Sequence, residues 1–264
     1  MRPPRFLDRS PTANLWWELA ASQVKLRYKR SVLGFGWSLL QPLLMMAVFT
    51  IVLGRFPRVA DLPVPYHIFF LSGYLPWIFF HVSLVNGQNA LIANASLVRQ
   101  VAFRKWLLPA ASVCANAVHA GLALLLFALY ALAHPATHPH AGLLWLAPLI
   151  VAQSLALIGL TLALSAWAVS FRDLGPLLEV GLSFLFYLTP VFYDFSLFGA
   201  GDRALVAALR LNPLAALLSC YRAAFFGAPF PWADFQYVLV WTALSLALGV
   251  TVYRRRRGRV AKEL

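Results

Sequence analysis

Acidic side chains are scarce in this chain: Asp and Glu number 9 in 264 residues, against 22 Lys and Arg. Charged residues of both signs make up only 12%, about half of the roughly 25% usual in soluble domains. With 61% hydrophobic residues and a mean hydropathy of +0.72, a soluble fold of this size could not hide its apolar surface. Glu179 sits about one turn inside an apolar run and Asp173 just before it, so no carboxylate marks a bilayer midplane. Ion-coupled transport, which relies on buried acids or histidines, is thereby disfavoured.

Other absences narrow the chemistry further. There are two cysteines, Cys114 within a long apolar run and Cys220 in a later loop. They are expected at different depths, which argues against a disulfide, and neither has metal-ligand spacing. His134, His138 and His140 share one segment, but prolines at 135 and 139 and the lack of a neighbouring carboxylate argue against a metal site. No phosphate-binding loop of the form GxxxxGK[ST] occurs, so this chain is not expected to hydrolyse ATP by that route. Gly34-Phe35-Gly36 lacks the strand context and third glycine of a dinucleotide site. No Ser, His and Asp arrangement suggests a triad. A membrane-embedded glycan acyl or glycosyl transferase would need an interfacial cluster of His, Asp or Glu, and the acids are too scattered. The expectation is a non-enzyme, with no cofactor and no metal on this chain. No small-residue cleavage site follows the basic N-terminus, so no removable signal peptide is expected.

What is present is a series of long apolar runs. Six are near the ~20 residues a bilayer requires: 37–53, 66–85, 107–133, 143–169, 177–192 and 235–253. Backbone groups in lipid must bond within their own segment, so the fold class is an all-α integral membrane protein. Trp37, Trp77, Trp106, Trp145 and Trp241 lie in or near these runs, several of them close to an end. Seventeen of the 22 cations fall in 1–32, 86–106, 170–176 and 254–264, and five in the alternate loops. That bias places both termini in the cytoplasm. The net charge of +13 is then mainly a topology signal and an attraction to anionic lipid, not a nucleic-acid surface. The run Arg254–Arg257 reads as a stop-transfer anchor.

Three segments are not simple spans. In residues 1–32, Asn14, Glu18, Ser22, Lys25 and Lys29 form a polar stripe at helical spacing, with Leu15, Trp16, Trp17, Leu19 and Val24 around it. The two readings are an amphipathic helix flat on the cytoplasmic interface and an ordinary helix packed on the bundle. Residues 33–264 form the transmembrane domain. The stretch Asn86–Pro109 is long for a turn and reads as a short interfacial helix followed by a return to the bilayer. It is either a docking handle for a soluble partner or a lipid-lying connector. Residues 193–234 hold two short apolar helices broken at Asn212-Pro213. These either dip into the membrane and line the outer part of a pathway, or rest on the surface as a hairpin. Asn116, His119 and Gln153 are expected to be interhelical hydrogen-bond partners or pathway lining. The sum is a polytopic protein without an energy source: a passive pore, or half of a machine whose motor is another chain.

Arg27-Tyr28-Lys29-Arg30-Ser31-Val32-Leu33-Gly34, with Trp37 and Gln41-Pro42, resembles the entry motif of membrane subunits of ATP-binding-cassette exporters. The motif is similar to that of the permeases for bacterial surface polysaccharides and polyol phosphates (O-antigen, capsule, teichoic acid). Leu97–Lys105 with Leu108-Pro109, Phe171–Leu174, Thr189–Tyr193, Leu211–Leu214 and Tyr221-Arg222 extend the resemblance over nearly the whole chain. One departure is Phe103-Arg104, where the family often has proline before the basic residue.

The resemblance implies a homodimer bound to two copies of a separate ATPase, with ATP and Mg on that partner. It would export a lipid-linked glycan across the bacterial inner membrane, within lipopolysaccharide biosynthesis or a similar process. Asn89, Leu91, Ile92, Asn94, Ser96, Leu97 and Arg99 would belong to the coupling helix that enters the ATPase. Lys25, Arg27, Lys29 and Arg30 would form a gate near the lipid diphosphate, a role suited to cations. Tyr74, Tyr187, Phe192 and Tyr193 are the aromatics expected along the glycan pathway. An exporter of the same build carrying a drug or lipid is the alternative.

Overall fold

The computed structural model describes residues 36–53, 62, 64–100, 103–134 and 140–263. Among them every regular element is helical. They are α1 (Gly36–Leu53), α2 (Tyr66–Ala93), α3 (Ala95–Gln100), α4 (Leu107–Leu132), α5 (Leu146–Ala168), α6 (Leu174–Leu188), α7 (Arg203–Arg210), α8 (Pro213–Phe226) and α9 (Trp232–Glu263).

Each of the six expected spans falls on a helix, but the helices are unequal. Four are long and apolar enough to cross a membrane: α2, α4, α5 with the 3-10 turn before it, and α9. The pair α7 and α8, bent by 86°, would make a fifth if counted as one span. The apolar part of α1, Leu40–Val52, and α6, Leu174–Leu188, are shorter. At 1.5 Å per residue the 15 residues of α6 reach about 22 Å, against about 30 Å of hydrocarbon. Two expected boundaries also shift. The run expected to end at 85 continues as one helix to Ala93, and the run expected to reach 192 stops at Leu188.

The helix α2 is the centre of the bundle. Phe69, Phe70, Leu71, Tyr74, Leu75 and Trp77 are all buried along it, and α1, α4, α5, α6 and α8 pack around it. Such all-round burial explains why its sequence has no amphipathic period. The most extensive helix pair is α5 with α9. Its axes approach closely because Gly159 and Gly249 face each other, so that a Cβ on either would collide with the other helix's backbone. Small residues at a crossing are how membrane helices gain contact when lipid is as apolar as the side chains.

The helix ends alternate between two faces. One, the hairpin face, carries 189–231 and the 140–145 turn; there Trp145 stacks on Phe230 at 4.3 Å. On the other, the tail face, Arg256 lies 3.6 Å over the Trp167 ring. Local chemistry sets the hairpin turns. The Asn212 carboxamide oxygen accepts the Leu214 N–H at 3.0 Å, Pro213 takes the first turn of α8, and Gly227 ends it at φ 68°. A left-handed residue at that place favours glycine, and a Cβ there would also meet the His140 ring.

Candidate functional site

Two regions gather the residues singled out above. The first is an aromatic seam where α1, α2 and α6 meet the hairpin face. Phe49 stacks on Phe70 at 4.9 Å, Phe70 on Tyr74 at 5.1 Å, and Tyr74 meets Phe186 edge-on at 6.5 Å. Phe186 contacts Phe192 and Tyr187, each at 5.5 Å, and Phe192 meets Tyr193 at 5.1 Å. All four expected aromatics therefore belong to one network, in which each ring pair adds about 0.5–1.5 kcal/mol beyond burial. Their exposure differs. Tyr74 is 5% exposed, its ring enclosed by Phe70 and Phe186, so it braces the seam and offers no free face. Tyr187 is 64% exposed, and Phe192 and Tyr193 are half-buried. Burial pushes the Tyr193 phenol up, against the smaller opposing pull of Arg222. Phe49, Phe70 and Phe186 were not among the expected residues. Adjacency to Tyr187 in sequence is the signal that could have found Phe186.

The non-helical end of α6 is stitched to its surroundings at several points. Thr189 accepts from the Asn212 side-chain amide at 2.8 Å, and the Phe192 carbonyl accepts from the Tyr66 hydroxyl at 3.0 Å. Arg222 donates from Nη2 to the carbonyls of Pro190 and Val191, at 2.6 and 3.1 Å. Its guanidinium also lies 3.8 Å over the Phe69 ring. Arg222 is half-buried, and withdrawing a cation from water carries a cost. Two charge-assisted hydrogen bonds and an aromatic face offset part of that cost. A lone Arg in an otherwise apolar stretch was the sequence signal for this residue.

The second region is the tail-face turn between α2 and α4. The expected single handle Asn89–Arg99 divides at Asn94: Asn89–Ala93 is the last turn of α2, and Ala95–Gln100 is the separate helix α3. The Asn94 side-chain amide donates to the Ala90 carbonyl at 2.8 Å, folding back on the turn it ends. A small apolar cluster of Ala90, Leu91, Val98, Leu108 and Ala166 anchors the turn, with Leu97, Phe103, Val169 and Tyr253 packed on it. Leu91 is fully buried, whereas Asn89, Ile92, Ser96 and Arg99 are exposed. The turn thus has one face fixed to four helix ends and one face open. Asn116 and His119, with Asn86 and Asn89, line a groove of about 520 Å³ beside it, between α2 and α4. Lys25, Arg27, Lys29 and Arg30 lie outside the described residues, as does the whole 1–32 arm. No group of three or more His, Cys, Asp or Glu could hold a metal among the described residues.

Comparisons with known proteins match most of the chain. Two proteins of Klebsiella pneumoniae, each named O-antigen export system permease protein RfbA, are 26% and 24% identical over 244 and 243 residues. Each alignment covers 91% of both chains. A Myxococcus xanthus protein of the same name is 32% identical over 240 residues, covering 86% of this chain and 89% of that one. The ABC-2 type transporter family matches residues 14–226, from the polar-striped arm to the end of α8. With four to five helices among the described residues long and apolar enough to span a membrane, and a family match over most of its length, this chain belongs to the ABC-2 type transporter family.

Proposed function

We propose that this chain is the transmembrane subunit of an ATP-driven exporter that moves a lipid-linked O-antigen or similar surface glycan from the cytoplasm to the periplasm. The observation that carries this reading is the near end-to-end similarity to three proteins named O-antigen export permeases. Those names favour a glycan over a drug or lipid as cargo. The working unit would be a homodimer with two copies of a separate ATPase, which holds the ATP and Mg. It would sit in the bacterial inner membrane with six spans and both termini inside, α1 and α6 completing the count as short helices.

On this reading the tail face is cytoplasmic. The open side of the α2–α3 turn, with Ile92, Ser96 and Arg99, would receive the push of the ATPase. The anchored side, through Leu91 and Leu97, would pass it to the ends of α2, α4, α5 and α9. Lys25, Arg27, Lys29 and Arg30 would meet the lipid diphosphate. Tyr187, Phe192 and Tyr193 would offer ring faces to the sugars, with Tyr74 behind them.

The experiment is co-expression of the chain with candidate ATP-binding-cassette ATPases of its own organism. The expected result is co-purification, ATPase stimulation by lipid-linked glycan and restored surface glycan in a permease-deleted strain. A chain that inserts normally yet binds no ATPase and restores no glycan would sink the reading.

A further inference from the structure

On the hairpin face, a cleft of about 330 Å³ opens between the end of α6, α7, α8 and the start of α9. That volume falls at the lower end of the roughly 300–1,000 Å³ typical of small-ligand sites. Its walls combine two kinds of surface. Phe195, Phe226, Pro190, Pro229 and Pro231 supply flat apolar faces. Asp194, Asp234, Arg210, Arg222 and Ser219 supply hydrogen-bonding groups.

Asp194 attracts Arg222 electrostatically, but the hydrogen bonds of both go elsewhere, those of Asp194 to Ser196 and those of Arg222 to Pro190 and Val191. Asp194 uses one carboxylate oxygen, Oδ2, to accept the Ser196 N–H at 2.8 Å. Arg222 has five N–H donors; its bonds to Pro190 and Val191 come from Nη2 and its Nε is enclosed, which leaves Nη1 for a ligand. The Arg210 guanidinium lies over the Phe195 ring at 5.3 Å and covers one face of it, so Phe226 and the prolines supply the open apolar wall. Two cations and two anions cancel, so the cleft has little preference for a charged ligand. It offers acceptors, donors and flat apolar walls together. A neutral polyhydroxylated ring, with apolar C–H faces and a rim of hydroxyls, matches that set.

We infer that this cleft is a carbohydrate-binding subsite that takes an uncharged sugar unit, separate from the Tyr187–Phe192–Tyr193 seam. The inference rests on the export reading for its purpose: the subsite would hold sugar units on the side where the glycan emerges. Its binding chemistry can be tested without export.

The test is saturation-transfer NMR on the full chain in lipid nanodiscs, with free galactose, mannose and rhamnose as probes and inorganic phosphate as the charged competitor. At least one sugar should bind with millimolar affinity and resist displacement by phosphate. Ser219→Trp fills the cleft, and Asp234→Asn keeps its shape while removing one charged acceptor. Affinity should fall at least about tenfold in the first and about threefold in the second, where tenfold corresponds to 1.4 kcal/mol. Helical circular dichroism and thermal midpoint establish that both variants are folded; if Ser219→Trp is not, Asp234→Asn with Phe226→Ala carries the test. Equal sugar signals in wild type and variants, or phosphate displacing sugar, would overturn the subsite. Surface-glycan export measured in parallel separates the two claims. Export without sugar binding discards the subsite alone, whereas sugar binding without export discards the export reading alone.

Discussion

The Tyr221 hydroxyl donates to Gln153 Oε1 at 3.0 Å, and both side chains are fully buried. Gln153 passes the connection on, donating from Nε2 to the Pro76 carbonyl at 2.9 Å. Three helices, α8, α5 and α2, are thus tied by one amide in the buried interior. Gln153 was expected from its polarity to be interhelical glue, and it is. The partner on α8 could not be named from sequence, because nothing local pairs residues 68 positions apart.

Tyr221→Phe leaves the Gln153 oxygen without its donor in a dry environment. An unsatisfied buried acceptor costs about 1–3 kcal/mol, whereas measured interhelical bonds in membranes average nearer 0.6. We expect a loss of about 1 kcal/mol, read as a lower thermal midpoint in detergent. A double-mutant cycle with Gln153→Leu should show coupling; strict additivity would mean that the bond contributes nothing.

The Gly159–Gly249 crossing should be intolerant of any side chain. Gly249→Val forces α5 and α9 apart, with an expected cost of about 1–3 kcal/mol from overpacking and reduced yield of folded protein. Gly181 has open space around its Cβ position, so Gly181→Ala on α6 should leave the thermal midpoint unchanged or raise it slightly. A tolerated Gly249→Val would refute the close approach.

Arg222→Met keeps much of the side-chain volume over Phe69 but leaves the Pro190 and Val191 carbonyls without donors. The end of α6 should loosen, making 189–202 more sensitive to limited proteolysis and lowering stability by about 1.5–3 kcal/mol, the range for hydrogen bonds to charged groups. Arg222→Lys should rescue only part of this, since an ammonium lacks the planar fork and the stacking on Phe69. Full rescue would place the role in charge alone.

The two sides of the α2–α3 turn should separate experimentally. Arg99→Glu and Ile92→Asp alter exposed positions and should weaken co-purification with the ATPase while leaving the thermal midpoint in place. Leu91→Asp buries an unpaired carboxylate and should destabilise the chain itself. If the exposed variants retain full ATPase binding, the turn is a connector and not a handle.

Among the aromatics, Tyr74→Ala and Tyr187→Ala should differ in kind. Tyr74→Ala opens a core cavity at a cost of about 3–5 kcal/mol, the range for large aromatic truncations, and is seen as lost stability. Tyr187→Ala removes a mostly exposed ring and should lower glycan export without shifting the midpoint.

Composition and the spacing of apolar runs by themselves determined that this is a helical membrane protein, because lipid leaves the backbone no other way to satisfy its polar groups. They placed a helix at each of the six runs, since run length is a local property. The family, too, was legible, from short motifs whose order extends along the chain. Tertiary structure decided the rest. Whether Asn89–Arg99 is one helix or two turned on the Asn94–Ala90 bond and on burial of Leu91 and Val98 by helices distant in sequence. Which aromatic is brace and which is surface turned on how α2 and α6 pack, since Tyr74 and Tyr187 are chemically identical and differ only in what surrounds them. The sequence displays a side chain's chemistry; its neighbours, which decide whether that chemistry is spent or available, come only with the fold.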